Sequence, residues 1–192
     1  MNRILLYIHY NKFDEMSDHV LYQLEKIKPL FSRVILISNS HLEKNYMRKL
    51  EMIGITEIIQ RANIGFDFAA WRDGMEYVGF DHLKKYDSVT LMNDTCIGPL
   101  WSLEPYFRSF ESAIDCDFWG MTNFKKTKYF REHVQSYFVS YSREVVSSKV
   151  FKSFWMNVKS YDNVRQVIDN YETKFTSELK RTGFNYQVVF NT

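Results

Sequence analysis

A repeated pattern of apolar strand, polar strand end and helix in the first half of the chain constrains its fold more than any other feature. Four short apolar runs are predicted strands, at residues 4–8, 34–37, 55–59 and 88–92. The first two runs are continuously apolar, which is typical of strands buried on both faces of a parallel sheet. The pattern therefore predicts an α/β protein with a mostly parallel sheet and helices on both faces.

Helical periodicity separates the predicted strands. Helices are expected at residues 17–30, 43–53 and 68–77 in the first half, and at 150–158 and 163–182 in the second. Further strands are expected at 118–121, 137–141 and 186–190. No linker or shift in composition divides the chain, so we predict a single domain over residues 1–192.

Charge and cysteine content exclude several classes of protein. The chain carries 25 Lys and Arg against 23 Asp and Glu, and this balance argues against a nucleic-acid partner. Two cysteines make no disulfide framework, and no apolar run is as long as a membrane span. We expect a cytoplasmic protein. The basic, aromatic run at 125–131 leaves open a peripheral contact with the inner face of the cell membrane.

Polar residues follow all four strands of the first half. In open α/β sheets, ligands bind beyond the carboxyl ends of the strands, so a binding cleft is expected there. Asn, Asp and Ser are also common in ordinary turns, and that reading stays open. The residues are His9, Tyr10, Ser38, Asn39, Asn63, Asn93 and Asp94.

The segment 63–74 combines a flexible turn with the start of a helix. Gly65 permits a left-handed turn or a close backbone approach, and Asp67 can cap the helix that follows. Arg72, one turn further, could reach a phosphate or pair with Asp73. A well-made loop-to-helix junction with no ligand would produce the same spacing.

Two carboxylates are candidates for chemistry. Asp94 ends a buried strand, where it could hold Mg²⁺ or Mn²⁺ together with substrate phosphates. Glu172 lies at the edge of the apolar stripe of the last helix, where it could act as a general base. Glu178 lies at the other edge of the same stripe, so position alone does not single out Glu172. A boundary carboxylate that reaches water is the alternative.

Taken in order, these blocks resemble the rhamnan synthesis protein F family of bacterial glycosyltransferases, and more widely the family 2 inverting glycosyltransferases. The similarity covers nearly the whole chain. It runs through 9–11, 38–39, the Asn-x-Gly-x-Asp block at 63–71, the Asn-Asp-Thr block at 93–95, Gly98-Pro99, 117–120, 135–138 and 171–183. The resemblance implies a GT-A, Rossmann-like fold. It also implies transfer of a sugar, L-rhamnose from dTDP-rhamnose, to a growing cell-surface polysaccharide or a lipid-linked glycan.

The resemblance also implies roles for residues. Asp94 corresponds to the metal-binding element, although this sequence has one carboxylate where the wider family has two. Glu172 corresponds to the catalytic base. Residues 1–100 would form the nucleotide-sugar half and residues 101–192 the acceptor half. The implied donor-binding residues are His9, Tyr10, Ser38, Asn39, Asn63, Gly65, Asp67, Arg72, Asn93 and Asp94, and the acceptor-side residues are Trp119, His133 and Tyr137.

Two further expectations complete the sequence analysis. A catalytically silent module that binds a nucleotide sugar or a glycan is the alternative to an enzyme.

The chain is also 17% aromatic, and we expect part of this excess to line the cleft. The rings expected there are Tyr10, Phe66, Phe68, Trp71, Trp101, Trp119 and Tyr137.

Overall fold

Eight strands form one central sheet in the computed structural model, which describes all 192 residues. The strands are β1 (Arg3–His9), β2 (Arg33–Ser38), β3 (Glu57–Gln60), β4 (Ser88–Asn93), β5 (Phe118–Phe124), β6 (His133–Val134), β7 (Phe138–Ser142) and β8 (Tyr186–Phe190). The α-helices are α1 (Asp18–Ile27), α2 (Lys44–Met52), α3 (Phe66–Val78), α4 (Phe80–Leu83), α5 (Glu104–Ser112), α6 (Arg143–Ser147), α7 (Lys149–Met156), α8 (Val164–Val167) and α9 (Thr173–Arg181). A π-helical turn, Ile168–Glu172, joins α8 to α9.

Strand order brings the carboxyl ends of most strands to one edge of the sheet. The order is β3-β2-β1-β4-β7-β5-β6, with β8 beside β5. β1 to β4 are mutually parallel, whereas β7 is antiparallel to both β4 and β5. β5 therefore runs in the same direction as β4, and β8 is parallel to β5. The predicted α/β class with a mostly parallel sheet is confirmed.

Both faces of the sheet are covered, as the sequence predicts. Alternate residues of β1 point to opposite faces, so Leu6 and Ile8 belong to one core cluster and Leu5 and Tyr7 to the other. α3 packs on the first face, where the indole N–H of Trp71 donates to the carbonyl of Leu6 at 3.2 Å. None of the helices combines the length and the apolar character needed to cross a bilayer.

Much of the aromatic excess lies in the core. Phe154 stacks on Phe175 with ring centroids 3.9 Å apart, and Phe68 stacks on both Trp155 and Tyr171. The expectation that Phe68 and Trp71 line the cleft is wrong, because both are buried at the interface of α3 with α7 and the last helix. Aromatic pairs in edge or offset geometry add to the energy of burial, which explains their number.

Several elements differ from the sequence-based expectations, and α4, α6 and β6 have no counterpart among the predicted elements. β3 begins at Glu57, two residues after the predicted start. α5 was not predicted, because Phe107 is its only fully buried residue and the apolar stripe is short. The predicted helix at 163–182 contains the π turn, which apolar spacing alone does not reveal.

A glycine at the start of α3 holds this helix close to a neighbouring segment. Gly65 has a φ of 78°, and a Cβ atom there would lie 2.7 Å from Ser160 Cα and 2.6 Å from Ala69 Cβ. Gly183 has a φ of 96° but nothing within 4 Å of its would-be Cβ. A larger residue at Gly183 would therefore cause backbone strain alone, whereas one at Gly65 would cause both backbone strain and steric overlap.

Gly65→Ala is expected to lower the free energy of unfolding by about 2–4 kcal/mol, because strain and overlap with backbone add. Gly183→Ala, the matched control, is expected to lower it by only about 1–2 kcal/mol from strain alone. Urea denaturation of both variants measures the difference. Equal losses of unfolding free energy in the two variants would show that α3 moves away from residue 160 without an energetic cost.

Candidate active site

Three carboxylates converge at the carboxyl edge of the sheet. Asp94 directly follows β4, Asp67 lies in the first turn of α3, and Glu172 is the last residue of the π turn. They are close enough that the charges of Asp94 and Glu172 both act on the pKa of Asp67. None of the ion pairs in the protein includes any of these three residues. The negative charge at this edge is therefore not neutralised by Lys or Arg.

Asp67 is held against the end of β4. The side-chain amide of Asn93 donates to Asp67 Oδ2 at 2.8 Å, and Asn93 Oδ1 accepts from the hydroxyl of Thr95 at 2.7 Å. Burial raises the pKa of Asp67 to about 6, against the lowering effect of the Asn93 hydrogen bond. A carboxyl group that changes charge near pH 6 is unusual and is a sign of functional sites.

Asp94 is anchored to the end of β1. Its Oδ2 accepts from the backbone N–H of Tyr10 at 2.9 Å. Burial raises the pKa of Asp94, although this hydrogen bond and the nearby His9 both favour the charged form. The ring of Tyr10 is half exposed and stands at the rim of the edge, where a ligand could stack on it.

His9 is a buried residue at the end of β1. Its Nε2 lies 3.1 Å from the carbonyl of Glu15 and its Nδ1 lies 3.0 Å from Ser38 Oγ. A carbonyl oxygen can only accept, so Nε2 carries the proton. Burial lowers the pKa of His9. His9 and Ser38 are both buried, and they therefore lie beneath the surface of this edge.

Glu172 is held by Ser136, in the segment just before β7. The backbone N–H of Ser136 donates to Glu172 Oε1 at 3.0 Å, and the Ser136 hydroxyl donates to the same oxygen at 2.8 Å. Oε2 makes no hydrogen bond within the protein. π turns inside helices are rare and occur often at functional sites. Here the turn presents a carboxylate with one oxygen fixed and the other available.

A polar network closes the other side of the edge. Arg61, just after β3, donates to Asn39 Oδ1 at 2.6 Å and to Asp73 at 2.7 Å. The Nδ2 atom of Asn39 is buried and has no partner. Buried donors without a partner are uncommon, so this amide is available to a water or a ligand oxygen.

The predicted donor-binding role of Arg72 does not fit the structure. Its guanidinium donates to Asp73 at 2.7 and 3.0 Å and to the carbonyl of Val158 at 2.6 Å. These contacts hold α3 against the segment after α7. Arg72 thus pairs with Asp73, which is the other role that its position in the sequence allows. Asn63 is partly buried and its side chain makes no hydrogen bond, so it can still reach a ligand.

Two of the three predicted acceptor-side residues are structural. Trp119 is buried, with its ring centroid 4.9 Å from those of both Phe107 and Phe110, because β5 turns this side chain into the core. His133 is also buried and bonds the carbonyl of Arg131. Only Tyr137 lies at the edge. Its hydroxyl is hydrogen-bonded to the Thr122 hydroxyl at 2.8 Å, and its backbone carbonyl accepts a hydrogen bond from the N–H of Asn93.

The oxygen donors at this edge suit a hard divalent cation that a substrate also binds. Asp94 and Asp67 each have one carboxylate oxygen occupied by a hydrogen bond and one free. No group of three or more His, Cys, Asp or Glu is arranged to hold a metal ion. Mg²⁺ and Mn²⁺ commonly bind through one or two carboxylates and substrate phosphates, and these residues fit that kind of site rather than a cage made by the protein alone.

Sequence reasoning missed two residues of the site. Ser136 fixes Glu172, and Arg61 fixes Asn39. Ser136 lies within one of the blocks that carry the family resemblance, which was the available signal. Arg61 follows β3 as an ordinary strand-end cation, and nothing in its spacing sets it apart.

Replacing Asp67 with Asn is expected to stabilise the protein above pH 6. The folded chain binds the Asp67 proton with a pKa of about 6 and the unfolded chain with an ordinary value of 3.8. The free energy of unfolding therefore falls as pH rises through this interval, by at most about 3 kcal/mol. Asp67→Asn removes this loss, while its amide oxygen can still accept from Asn93.

Urea denaturation in the presence of a chelator measures the effect. The gain of Asp67→Asn over the natural protein is expected to be near zero at about pH 4 and to reach about 1–3 kcal/mol at pH 7.5. Asp73→Asn, on the same helix, removes the ion-pair partner of Arg61 and Arg72 and is expected to destabilise the protein instead. A gain independent of pH would contradict the raised pKa of Asp67.

Solved structures with a similar fold are nucleotide-sugar transferases. A putative nucleotide-diphospho-sugar transferase from Desulfovibrio desulfuricans G20 matches with a TM-score of 0.57 and 13% identity, over 100% of this chain and 81% of that chain. Glucosyl-3-phosphoglycerate synthase from M. tuberculosis matches with a TM-score of 0.51 and 10% identity, over 75% of this chain and 58% of that one. The fold is therefore that of GT-A transferases, as expected.

Sequence comparison gives the family. An uncharacterized protein, y4gN, of Sinorhizobium fredii is 30% identical over 91% of this chain and 45% of its own length. Virulence protein VirA of Vibrio anguillarum is 28% identical over 68% of this chain and 41% of its own length, so the chain spans less than half of each relative. The model of the family described as rhamnan synthesis protein F matches residues 34–192. The chain belongs to the rhamnan synthesis protein F family.

Proposed function

We propose that this chain transfers a sugar from a nucleoside-diphosphate sugar to an acceptor hydroxyl. The observation that carries the proposal is the arrangement of Glu172. One of its carboxylate oxygens is fixed by two donors of Ser136, and the other is free at the same edge as Asp67 and Asp94. Fixing a general base within reach of the reacting groups is a common contribution to catalysis.

The proposed reaction is a single displacement with inversion. Glu172 Oε2 takes the proton of the acceptor hydroxyl as the hydroxyl oxygen forms a bond to the anomeric carbon. The bond between this carbon and the diphosphate oxygen breaks, and the nucleoside diphosphate leaves with the electron pair. Asp94 and Asp67 would hold Mg²⁺ or Mn²⁺ with the diphosphate, and the ion would supply charge neutralisation of the leaving group.

The donor and acceptor are inferred from the family and from the edge itself. The family description, rhamnan synthesis, supports L-rhamnose as the sugar and dTDP-rhamnose as the donor. His9, Ser38 and Asn39 at the ends of β1 and β2 are proposed to face the nucleoside, with Tyr10 as a stacking surface. The structure of the M. tuberculosis synthase with Mn²⁺ and UDP-glucose, at a TM-score of 0.50, supports a nucleotide sugar and a metal on this fold.

The remaining assignments are part of the same proposal. The acceptor is a growing cell-surface polysaccharide or a lipid-linked glycan, reached from the cytoplasm. Residues 1–100 carry the donor and residues 101–192 the acceptor, with Glu172 between them and Tyr137 on the acceptor side. Asn63 is proposed to face the donor from the turn that precedes α3, whereas Gly65 is buried against Ser160 and serves the packing of α3.

Glu172→Gln is expected to lower kcat by about 10²–10⁴-fold, because an amide does not accept the acceptor proton. Glu178→Gln is the matched control on the same helix and is expected to keep kcat. Release of nucleoside diphosphate in the presence of an acceptor glycan measures both. Equal rates for the two variants would remove Glu172 from the mechanism.

Donor binding is tested separately from turnover. A thermal-shift panel of dTDP, dTDP-rhamnose, UDP-glucose and UDP, each with and without Mn²⁺, reports ligand binding to the folded chain directly. We expect dTDP-rhamnose with Mn²⁺ to give the largest thermal shift. This shift is expected to be retained in Glu172→Gln and reduced in Asp94→Asn.

The panel also separates the enzyme from the silent module. A shift with dTDP-rhamnose but no release of dTDP with any glycan acceptor would favour a binding module. Absence of a shift with every nucleotide would overturn both the transferase and the module that binds a nucleotide sugar, and would leave only a module that binds a glycan.

A further inference from the structure

We propose that the loop after β4 and the end of β8 form a surface that binds an anionic lipid bilayer. The surface consists of Ile97, Leu100, Trp101 and Phe190, which we call the apolar tip, and of the basic loop at 125–131. It lies at the same edge of the sheet as the carboxylates but includes none of them. The proposal does not depend on the transferase activity, because it concerns where the protein sits and not what it converts.

The apolar tip is exposed to an extent that is unusual for such large side chains. Ile97 and Leu100 are each 77% exposed, Trp101 is 51% exposed and Phe190 is 48% exposed. The rings of Trp101 and Phe190 contact each other with centroids 6.4 Å apart, so the tip is continuous. Contiguous exposed apolar groups of this kind mark interaction sites in soluble proteins.

Strand direction places the apolar tip at the same edge as the site. β4, β5 and β8 run in the same direction, so the loop that follows β4 and the end of β8 lie beyond their carboxyl ends. The loop begins at Cys96, two residues after Asp94. An apolar cavity of about 160 Å³ separates the loop from Tyr137 and Met92. A bilayer against the tip would therefore lie beside the carboxylates.

Positive charge lies next to the apolar tip. Phe190 of β8 is opposite Thr122 of β5, and the basic loop begins only three residues after Thr122, within about 10 Å along an extended chain. Its cations are exposed and form no ion pair with an acidic residue. They are Lys125, Lys126, Lys128 and Arg131.

This combination favours a bilayer over a protein partner. Tryptophan concentrates at membrane interfaces, aliphatic tips insert among acyl chains, and lysines beside them bind anionic headgroups. Lys26 of α1 borders the loop on its other side, where Tyr22 donates to the carbonyl of Pro99 at 3.3 Å. The apolar tip is thus flanked by cations on two sides.

Fluorescence of the natural protein tests the proposal directly. The other three tryptophans, Trp71, Trp119 and Trp155, are at most 2% exposed, so quenching by lipids reports Trp101. Vesicles of brominated phosphatidylcholine with phosphatidylglycerol are expected to quench the fluorescence, and brominated phosphatidylcholine alone much less. Trp101→Phe is expected to abolish the quenching. Absence of quenching with the anionic vesicles would overturn the proposal.

Sedimentation with the same vesicles, unbrominated, tests the two parts of the surface. Leu100→Asp is expected to lower binding at least tenfold, and replacement of Lys125, Lys126 and Lys128 by Gln is expected to remove the preference for anionic lipid. Ile114→Asp is the matched control, because Ile114 is fully exposed at the opposite edge, after α5, and this variant is expected to bind like the natural protein.

Three outcomes would overturn the membrane proposal. They are no vesicle binding by the natural protein, equal binding by Leu100→Asp and Ile114→Asp, or concentration-dependent dimerisation that Leu100→Asp abolishes in the absence of vesicle binding. The last result would instead assign the surface to a second copy of this chain. Urea denaturation of Leu100→Asp shows whether the variant is folded, and because this measurement needs no nucleotide it keeps the test separate from that of the transferase activity.

Discussion

The antiparallel pairing of β7 with β4 is the contact on which the arrangement of the site depends. It brings the amino end of β7 beside the carboxyl end of β4, so that the N–H of Asn93 reaches the carbonyl of Tyr137. Ser136 is therefore presented next to Asp94 and Asp67, and it holds Glu172 there. A parallel strand in this position would begin at the opposite edge of the sheet, and Glu172 would lack the two hydrogen-bond donors of Ser136.

The last helix is held on two sides near Glu172, by Ser136 on one side and by the contacts of Tyr171 on the other. Tyr171, its neighbour, is buried against Phe68, and its hydroxyl accepts from the backbone N–H of Lys159 at 2.6 Å. The π turn shifts the register of the helix between this buried ring and the stripe of α9. Tyr171 faces the core, whereas its neighbour Glu172 faces Ser136. Most of the aromatic excess thus supports the site from behind, whereas Tyr10 and Tyr137 lie at the edge itself.

The sequence predicts the parallel half of this fold well and the antiparallel half poorly, for a physical reason. Buried parallel strands such as β1 and β2 are marked by continuous apolar runs, and the crossover rule leaves few ways to connect them. The direction of β7 depends on contacts between residues about fifty positions apart, such as Thr90 with Ser140, which no local pattern encodes. Prediction of the candidate site follows the same division. Asp94 follows from a strand end and Asp67 from the turn that opens α3. Trp119 looked like a cleft residue because sequence does not show which face of β5 it occupies.

The unneutralised carboxylates have a thermodynamic consequence for the proposed donor. A diphosphate carries several negative charges and would meet Asp67 and Asp94 at an edge where Arg61 and Arg72 are already engaged with Asp73. The affinities of such a donor and of a divalent cation would therefore be coupled, and the coupling would be reciprocal, because each ligand would raise the affinity of the other by the same factor. In the cell, the free cation would then act as a regulator of donor occupancy, so the protein would respond to the product of two concentrations rather than to either one.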